Sequence, residues 1–448
     1  MKHNHTWSTL IASLLMLSGA FLSSCKKDDP SEIAQNIHRE FKPSYSTEAT
    51  TIRQGESVTI TVTGAQATTD PTGIIWALNG KVVARGVSYT FRPSEPGHYT
   101  LIFSSADRTL SITREYTVLD PPPFPKFPDP EINKDATPYI TKVLEYLPAV
   151  GQFVNELPEY EDGDTQEAMN AKALEYLADN QRSLVTLGGW GGYIVVGFDH
   201  TILNVPGKRD FRVLGNAFYA NDNKDPYNGG SCEPGVIMVA YDANRNGKPD
   251  ENEWYEIQGS AHVDHTKEPW FDMIKKVPGS DMNFYYRDYE MTYERPTKEE
   301  FTDTGVPFVG IVNYVHWTDN RGGKGWLPKN TFHKQTYYPK WIKGDKYTLR
   351  GTRLPQNSRD QSGVGRYFVL FKFRYGYVDN EKNNLDDSAI DIDWAIDKYG
   401  RKVHLPGVDF IRVHTGINQV NGWLGENSTE LSGINDLHVL KEDIPTRK

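Results

Sequence analysis

The residues with the clearest chemistry lie in one twelve-residue stretch of the chain. Seven of its positions have the residue types of a calcium loop, at the first, third, fifth, sixth, seventh, ninth and twelfth places: Asp242, Asn244, Asn246, Gly247, Lys248, Asp250 and Glu253. The spacing matches D-x-[DN]-x-[DN]-G-x5-E. A calcium ion takes about six to eight oxygens, which a short loop supplies when alternate side chains point inward. We therefore predict calcium binding by the five oxygen-bearing side chains and the carbonyl of Lys248.

The segment before this loop indicates which elements hold it. Residues 236–241 are an apolar run opened by Pro234-Gly235, which predicts a buried strand and not the first helix of a helix–loop–helix hand. We place the loop between two strands. The alternative is a polar hairpin tip that binds nothing. An ion in such a site usually stabilises a long loop, so we expect it to be structural and not catalytic.

Composition narrows the possible partners. The chain has 448 residues, which suggests two or three domains, and a formal net charge of −10. Nucleic acid is not an expected partner, because its phosphates require clustered Lys and Arg. The sequence contains 25 Tyr, 19 Phe and 10 Trp. These rings either provide flat surfaces for a ligand or fill the cores of β-sheets.

The N-terminus predicts export and lipidation. Residues 1–24 have a basic start and a short apolar stretch at 10–17, as in a signal peptide. Residues 22–25 resemble the bacterial lipobox, which makes Cys25 the predicted lipidation site. Residues 26–29 resemble the acidic export tag of Bacteroidota lipoproteins. We expect a lipoprotein of the outer membrane that faces the cell exterior, and Cys232 is then the one remaining thiol.

Four further segments follow the signal peptide. Residues 25–44 are a predicted polar tether, and residues 45–119 contain short alternating strands with an Asn79-Gly80 hairpin signal, which predicts a β-sandwich. The Trp76 strand and residues 96–99 resemble immunoglobulin-like domains of the polycystic-kidney-disease (PKD) type. Residues 120–136 are a proline-rich linker that favours a stiff, extended chain. Residues 137–448 form the larger, ligand-binding domain.

We expect the larger domain to begin with two short helices and to continue as strands. The first helix is predicted at residues 139–147. The second begins near Asp164, which pairs with Glu167 as a capping box, and its apolar stripe comprises Ala168, Ala171, Leu174, Leu177 and Ala178. The many strands that follow, with long loops between them, favour a jelly-roll-like β-sandwich. The predicted fold is therefore mainly β.

Three other groups of residues could carry chemistry. Asp391 and Asp393 share one face of a predicted strand, and they suit a second cation, a hydrogen-bonding role or a carboxylate pair for sugar hydrolysis. Zinc binding by His262, His265 and His333 is less favoured than solvated side chains. A glycine-rich loop carries five aromatic residues that either line a ligand surface or pack the loop down: Trp317, Trp326, Tyr337, Tyr338 and Trp341.

Five motifs together resemble an uncharacterised family of exported bacterial cell surface proteins, over residues 139–439. They are residues 207–216, Glu233-Pro234, the calcium loop, residues 391–394 and residues 422–426. The resemblance implies a surface lipoprotein that captures a nutrient, because members in gut Bacteroidota often accompany corrinoid (vitamin B12) uptake. It also implies a TonB-dependent transporter as partner and a membrane contact through the lipid anchor only. A glycan-binding protein, a glycoside hydrolase and a structural adhesin are the alternatives.

Overall fold

The structure is a computed structural model that describes residues 42–63, 73–106, 108, 110–178, 183–220, 227 and 229–447. The predicted signal peptide, Cys25 and most of the predicted tether lie outside the described residues. The chain divides into two compact units, Met1–Pro121 and Pro122–Lys448.

The described residues of the first unit form eight strands. They are β1 (Lys42–Tyr45), β2 (Thr51–Arg53), β3 (Val58–Thr63), β4 (Ile74–Leu78), β5 (Lys81–Arg85), β6 (Ser88–Phe91), β7 (Gly97–Ser105) and β8 (Ser111–Leu119). They form a three-stranded sheet in the order β1-β3-β6 and a five-stranded sheet in the order β2-β8-β7-β4-β5. All pairs are antiparallel except β2 with β8.

Alternating side chains produce the core of this unit. Along β3, Val58, Ile60 and Val62 are buried while the residues between them are more exposed, because successive side chains of a strand point to opposite faces. Trp76 is fully buried and lies 4.8 Å from Phe103, centroid to centroid. The predicted hairpin is present at β4–β5, where Asn79 and Gly80 both have positive φ, as a tight hairpin turn requires.

The second unit contains the remaining elements. Its strands are β9 (Lys142–Leu147), β10 (Val185–Thr186), β11 (Tyr193–Leu203), β12 (Phe211–Leu214), β13 (Phe218–Tyr219), β14 (Gly229–Ser231), β15 (Gly235–Ala240), β16 (Trp254–Ile257), β17 (Tyr285–Glu294), β18 (Val309–Asp319), β19 (Lys324–Asn330), β20 (Lys346–Arg353), β21 (Ser358–Asp360), β22 (Phe368–Phe371), β23 (Ala389–Ile390), β24 (Ala395–Ile396), β25 (Gly407–Thr415), β26 (Glu430–Leu431) and β27 (Gly433–Asp436). Its helices are α1 (Gln166–Leu177), α2 (Ser260–Asp264) and α3 (Phe271–Ile274).

A six-stranded antiparallel sheet organises this unit, in the order β24-β16-β15-β25-β11-β9. One face of the sheet is continuously apolar, with Ile194, Ile237 and Ile411 fully buried in the largest core cluster. Four smaller sheets surround it, in the orders β23-β12-β27, β10-β26, β13-β14-β22-β21 and β19-β18-β17-β20. The prediction of a mainly β fold is confirmed. The jelly-roll connectivity stays a prediction.

The helix predicted at residues 139–147 is wrong. Residues 142–147 are β9, the edge strand of the six-stranded sheet, where Tyr146 lies opposite Ile194 of β11. Tyr146 is fully buried, and its hydroxyl donates to the carbonyl of Thr186 at 2.9 Å. The short apolar run fits either periodicity, and pairing with β11 decides for the strand.

The second predicted helix exists as α1, but its start and its buried face differ from the prediction. Thr165, not Asp164, is the N-cap, and its side-chain oxygen accepts from the backbone N–H of Ala168. The carboxylate of Asp164 instead binds the ammonium of Lys172 at 2.8 Å. The buried residues are Met169, Ala173 and Leu177, because their spacing of four places them on one face.

The proline-rich segment beyond Pro121 belongs to the second unit and packs against the rest of it. The ring of Phe127 packs edge-on against Tyr241 and Tyr255 at centroid distances of 6.0 and 6.1 Å. The carbonyl of Pro128 accepts from the hydroxyl of Tyr241 at 2.7 Å, and the carbonyl of Asp129 accepts from Arg245 at 3.2 Å. This part of the predicted linker is thus held beside the predicted calcium loop.

Candidate functional site

The predicted calcium loop connects β15 to β16 and ends in a 3-10 turn at Glu251–Glu253. Two of its residues adopt the left-handed region, Arg245 with φ 58° and Gly247 with φ 75°. A side chain is strained there and glycine is not, which explains the glycine at the sixth place. The loop turns back on itself at these residues.

The side chains of the loop converge on its centre. The carboxylate of Asp242 accepts from the backbone N–H of Asn246 at 3.0 Å and of Gly247 at 2.7 Å. One oxygen of Asp250 accepts from the side-chain amides of Asn244 at 2.6 Å and Asn246 at 3.0 Å. The oxygen and nitrogen of an Asn amide exchange places by a flip about one bond. The flip would present oxygens where the amide nitrogens now donate, so these four side chains have the composition of a cation site.

Glu253 and Asp409 fix the loop to the sheet. Both oxygens of Glu253 accept backbone N–H groups of the loop, from Ala243 at 3.2 Å and Asp250 at 3.0 Å. Burial, with the nearby carboxylates of Asp250 and Asp242, raises the pKa of Glu253. Asp409 of β25 accepts from the N–H of Asp242 at 2.7 Å. The residues predicted to bind calcium are thus brought together by the structure.

The predicted aromatic surface is mostly not a surface. Tyr337 and Tyr338 are fully buried, and Trp341 is 9% exposed and stacks on Tyr146. These three residues fill the core beneath their loop, so their prediction as ligand-lining residues is wrong. Trp317 of β18 is half-buried, and Trp326 of β19 is 45% exposed beside His316.

The other candidates also take structural roles. Asp391 and Asp393 do not share a strand face, because a 3-10 turn at Ile392–Trp394 separates β23 from β24, and Asp391 caps it by accepting the N–H of Asp393. Asp393 pairs with His404 instead. His262 is not solvated: its ring is buried and bonded to Glu256. The ring of His333 packs against Phe153, apart from His262.

A different set of rings is exposed. Phe308 and Phe332 are 49% and 55% exposed, and with Trp423 they form a cluster with centroid distances of 5.5, 5.7 and 6.0 Å. Single exposed apolar side chains are ordinary, but three in contact make a patch that favours binding. None of the three was among the predicted ligand-binding residues.

Two of these rings line an open cleft of about 350 Å³, here called the aromatic cleft. Its wall combines the rings of Phe153, Phe332 and Trp423 with the polar side chains of Gln152 and Asn330. The amide of Asn330 donates to the side-chain oxygen of Gln152 at 2.6 Å, and Gln152 donates to the carbonyl of Leu424 at 2.6 Å. A cleft of this volume, apolar with a few fixed polar groups, has the make-up of a small-molecule site.

Three carboxylates meet at one wall of this cleft: Glu233 just before β15, Asp379 beyond β22, and Glu430 in β26. One oxygen of each lies within 4.8 Å of the other two, so the group could share a cation or a proton. Among the described residues, none of the three is paired with a lysine or an arginine. Glu233 and Glu430 line the cleft itself.

Hydrogen bonds fix these carboxylates in place. Asp379 accepts from the N–H groups of Asn216 at 2.8 Å and Glu430 at 3.0 Å, while Glu233 accepts from the N–H of Ser428 at 3.0 Å. A Cβ at Gly215 would lie 2.5 Å from an oxygen of Asp379, so glycine is needed for this approach. Three chain segments therefore meet at Asp379.

The shared burial changes the titration of these groups. Loss of contact with water, and then the carboxyl of Asp379, raise the pKa of Glu430 to about 8. Burial raises the pKa of Asp379 to about 7 and that of neighbouring Glu426 to about 7. Burial and the carboxyls of Glu430 and Asp379 raise the pKa of Glu233. Buried like charges near one another disfavour ionisation, so the cluster retains protons near neutral pH unless a cation binds.

The cleft brings together residues of three motifs that are far apart in the chain. Asn216 ends one, Glu233 belongs to the next, and Trp423 belongs to the last, whose Glu426 is not a lining residue. The oxygen of Glu426 accepts the backbone N–H of Gln152 at 2.7 Å. The sequence signal was present in these motifs, but without distances it did not separate a shared site from separate structural roles.

Comparison with known proteins does not test the resemblance to exported cell surface proteins. A scan against protein-family models finds no match, and a search of curated proteins finds none either. Among the described residues, no helix combines the length and the apolar character that crossing a membrane requires.

Proposed function

We propose that this protein is a binding protein that captures a small nutrient molecule in the aromatic cleft and performs no chemistry on it. One observation carries the proposal: the exposed cluster of Phe308, Phe332 and Trp423 stands at a cleft whose polar groups are already fixed by hydrogen bonds. Fixed polar groups beside flat apolar rings bind a ligand without a large cost of ordering.

A corrinoid is the first proposed ligand, on the strength of the family resemblance. A flat macrocycle would lie across the ring cluster, and one of its substituents would enter the cleft, whose volume of about 350 Å³ suits a side group. A glycan is the alternative, because sugar rings also stack on exposed aromatic side chains. Titration calorimetry with cyanocobalamin and a panel of soluble polysaccharides separates the two. If neither cyanocobalamin nor any polysaccharide gives binding heat, a structural adhesin would be favoured.

The proposed cellular context is a lipid anchor at Cys25 in the outer membrane, exposed to the cell exterior, with a TonB-dependent transporter as the partner that receives the ligand. Cys25→Ala should move the protein from the membrane fraction to the soluble fraction of the cell. External protease on intact cells should degrade the anchored protein. Failure of both would contradict this context.

We also propose calcium as the ion of the loop at residues 242–253. Three carboxylates and two amides at the ligand places give a low site charge, which suits the affinity of about 10⁻⁴–10⁻³ M found in extracellular modules. The support is the convergence of Asp242, Asn244, Asn246 and Asp250 described above.

Glycoside hydrolysis is a second candidate function, favoured by the carboxyl cluster. Glu430, whose pKa is raised to about 8, would be protonated at neutral pH, as a general acid must be. Glu233 would be the partner carboxyl. Release of reducing sugar by the protein, abolished in Glu430→Gln, would establish this function and contradict the binding proposal. If polysaccharides bind and none of them releases reducing sugar, binding without hydrolysis is the function.

A further inference from the structure

A second cleft, of about 790 Å³, lies elsewhere in the second unit and shares no lining residue with the aromatic cleft. We call it the cationic cleft. Its floor includes Met238 of β15 and Arg412 of β25, which are directly opposite each other in the six-stranded sheet. Residues 122–125 of the proline-rich segment form another part of its lining. Its volume falls in the range of small-molecule sites.

Arg412 is a half-buried cation whose hydrogen-bonding capacity is incompletely used. Its guanidinium lies over the ring of Tyr193, 3.9 Å from the centroid, and its Nε has no hydrogen-bond partner among the described residues. Burial lowers the pKa of Arg412, although an arginine remains charged in any case. Arg412 lines the cleft and is bonded to no carboxylate among the described residues, so an anion in the cleft would offset the cost of burying its charge.

Arg287 is a second cationic residue in the lining of the same cleft. Its Nε donates to Glu256 at 2.9 Å, while its Nη2 is buried and has no partner among the described residues. Glu256 also accepts from Thr352 at 2.6 Å and is bonded to His262 at 2.5 Å. This carboxylate therefore has most of its acceptor capacity occupied already and does not bond Arg412.

The lining carries more positive than negative groups, which is notable in a chain of net charge −10. Four lining residues are basic, namely Arg287, Lys398, Arg401 and Arg412, and two are acidic, Glu251 and Asp397. Asp397 is bound by Arg401 at 2.8 Å. A cleft that concentrates one sign of charge attracts ligands of the opposite sign.

Aromatic side chains supply the apolar part of the lining. Trp254 and Tyr399 face the cleft, and Phe124 lies under the guanidinium of Arg401, 4.1 Å from ring centroid to carbon. A ligand with only an anionic group would leave these rings without a partner. A ligand with a flat apolar part would cover them.

We propose that the cationic cleft is a binding site for a small organic anion, in which Arg287 and Arg412 hold a carboxylate or a phosphate and the rings of Trp254 and Tyr399 hold a flat apolar group. The guanidinium fork matches both kinds of oxyanion. The site is independent of the aromatic cleft, so it stands or falls separately from the ligand proposed there.

Titration calorimetry on the full-length chain tests this site with three probes of similar shape: benzoate, phenyl phosphate and uncharged benzamide. We expect at least one anion to bind tenfold or more tightly than benzamide. The preferred anion identifies the carboxylate or the phosphate as the natural group. Equal binding of all three, or no heat from either anion at 10 mM, would overturn the proposal.

The matched variants are Arg412→Gln and Arg350→Gln. Arg350 is a surface arginine whose side chain is 70% exposed and pairs with Glu290 outside the cleft. Arg412→Gln should lower the affinity for the anion at least tenfold, and Arg350→Gln should leave that affinity unchanged. Equal effects of the two would contradict the site. If Arg412→Gln does not fold, the wild-type protein still decides: between 50 and 500 mM NaCl anion binding should weaken and benzamide binding should not.

Discussion

The predicted calcium loop and the aromatic cleft both bring polar side chains together, but they differ in how far apart those side chains are in the chain. The loop takes all its candidate ligands from residues 242–253, and hydrogen bonds within these twelve residues bring them together, with one further bond from Asp409. The lining of the cleft, from Gln152 to Glu430, comes from seven separate stretches of the chain. A local site can be recognised from spacing, whereas a site made by sheet topology becomes visible only when the strands are placed.

The largest expected effect comes from Tyr337, for which the sequence allows either a ligand-lining or a packing role and which the structure buries completely. Its ring meets Tyr314 edge-on at 5.3 Å, and its hydroxyl accepts from the N–H of Asn330, which lines the aromatic cleft. Tyr337→Ala should lower the free energy of unfolding by about 3–5 kcal/mol, as deletion of a buried ring does. Chemical denaturation measures it.

Trp326→Ala is the matched control for this comparison. Trp326 is 45% exposed, so its removal should change the free energy of unfolding by no more than about 0.5 kcal/mol. Similar losses in the two variants would show that the loop residues are not distinguished by burial.

The next effect concerns the pH dependence of the carboxyl cluster. The pKa of Asp379 is raised to about 7 in the folded protein, so the folded state holds a proton that the unfolded state has released above about pH 4. Stability from this group is complete below the unfolded pKa and is lost as pH rises through about 7. In chelator, the free energy of unfolding should therefore fall between pH 5 and pH 8, by about 1.4 kcal/mol for each unit of pKa shift that is crossed.

Asp379→Asn isolates this contribution. The N–H groups of Asn216 and Glu430 bond different oxygens of Asp379, so asparagine keeps one of these two hydrogen bonds and loses the other, while it tolerates the left-handed backbone of this position, φ 53°. Thermal unfolding at pH 5 and pH 8 should show a smaller loss in Asp379→Asn than in the wild-type protein. Equal losses would assign the pH dependence to other groups.

The two units show what sequence patterns could predict and why. The hairpin at Asn79-Gly80 and the strand 236–241 depend on neighbouring residues, and both are present in the structure. The helix predicted at residues 139–147 is a strand over residues 142–147, because so short an apolar run does not distinguish the two periodicities and the partner strand β11 is some fifty residues away. Burial of Tyr337 and Tyr338 depends likewise on sheet packing, which loop composition does not reveal.

Calcium should produce a smaller stabilisation that depends entirely on the local loop. At 1 mM calcium and a dissociation constant of about 10⁻⁴ M, binding to the folded state alone adds about 1.4 kcal/mol. The melting temperature should rise with calcium, and Asp242→Ala should remove the rise. Asp345→Ala is the control, because the side chain of Asp345 is 96% exposed and lies outside the loop. If the melting temperature is the same in calcium and in chelator, the loop is a polar hairpin that binds no calcium.

The smallest effect on stability, and the most direct test of the cleft, is Trp423→Ala. Trp423 is partly exposed, and its ring contacts Phe308 and Phe332 at the cleft mouth, so its loss should cost little stability but should remove the central stacking surface. We expect the affinity for cyanocobalamin, or for the polysaccharide that binds in its place, to fall about tenfold, which corresponds to about 1.4 kcal/mol. Trp326→Ala removes a more exposed ring of the same type outside the cleft and should leave affinity unchanged. If Trp326→Ala weakens binding and Trp423→Ala does not, the ligand surface lies on β19 and the aromatic cleft is not the binding site.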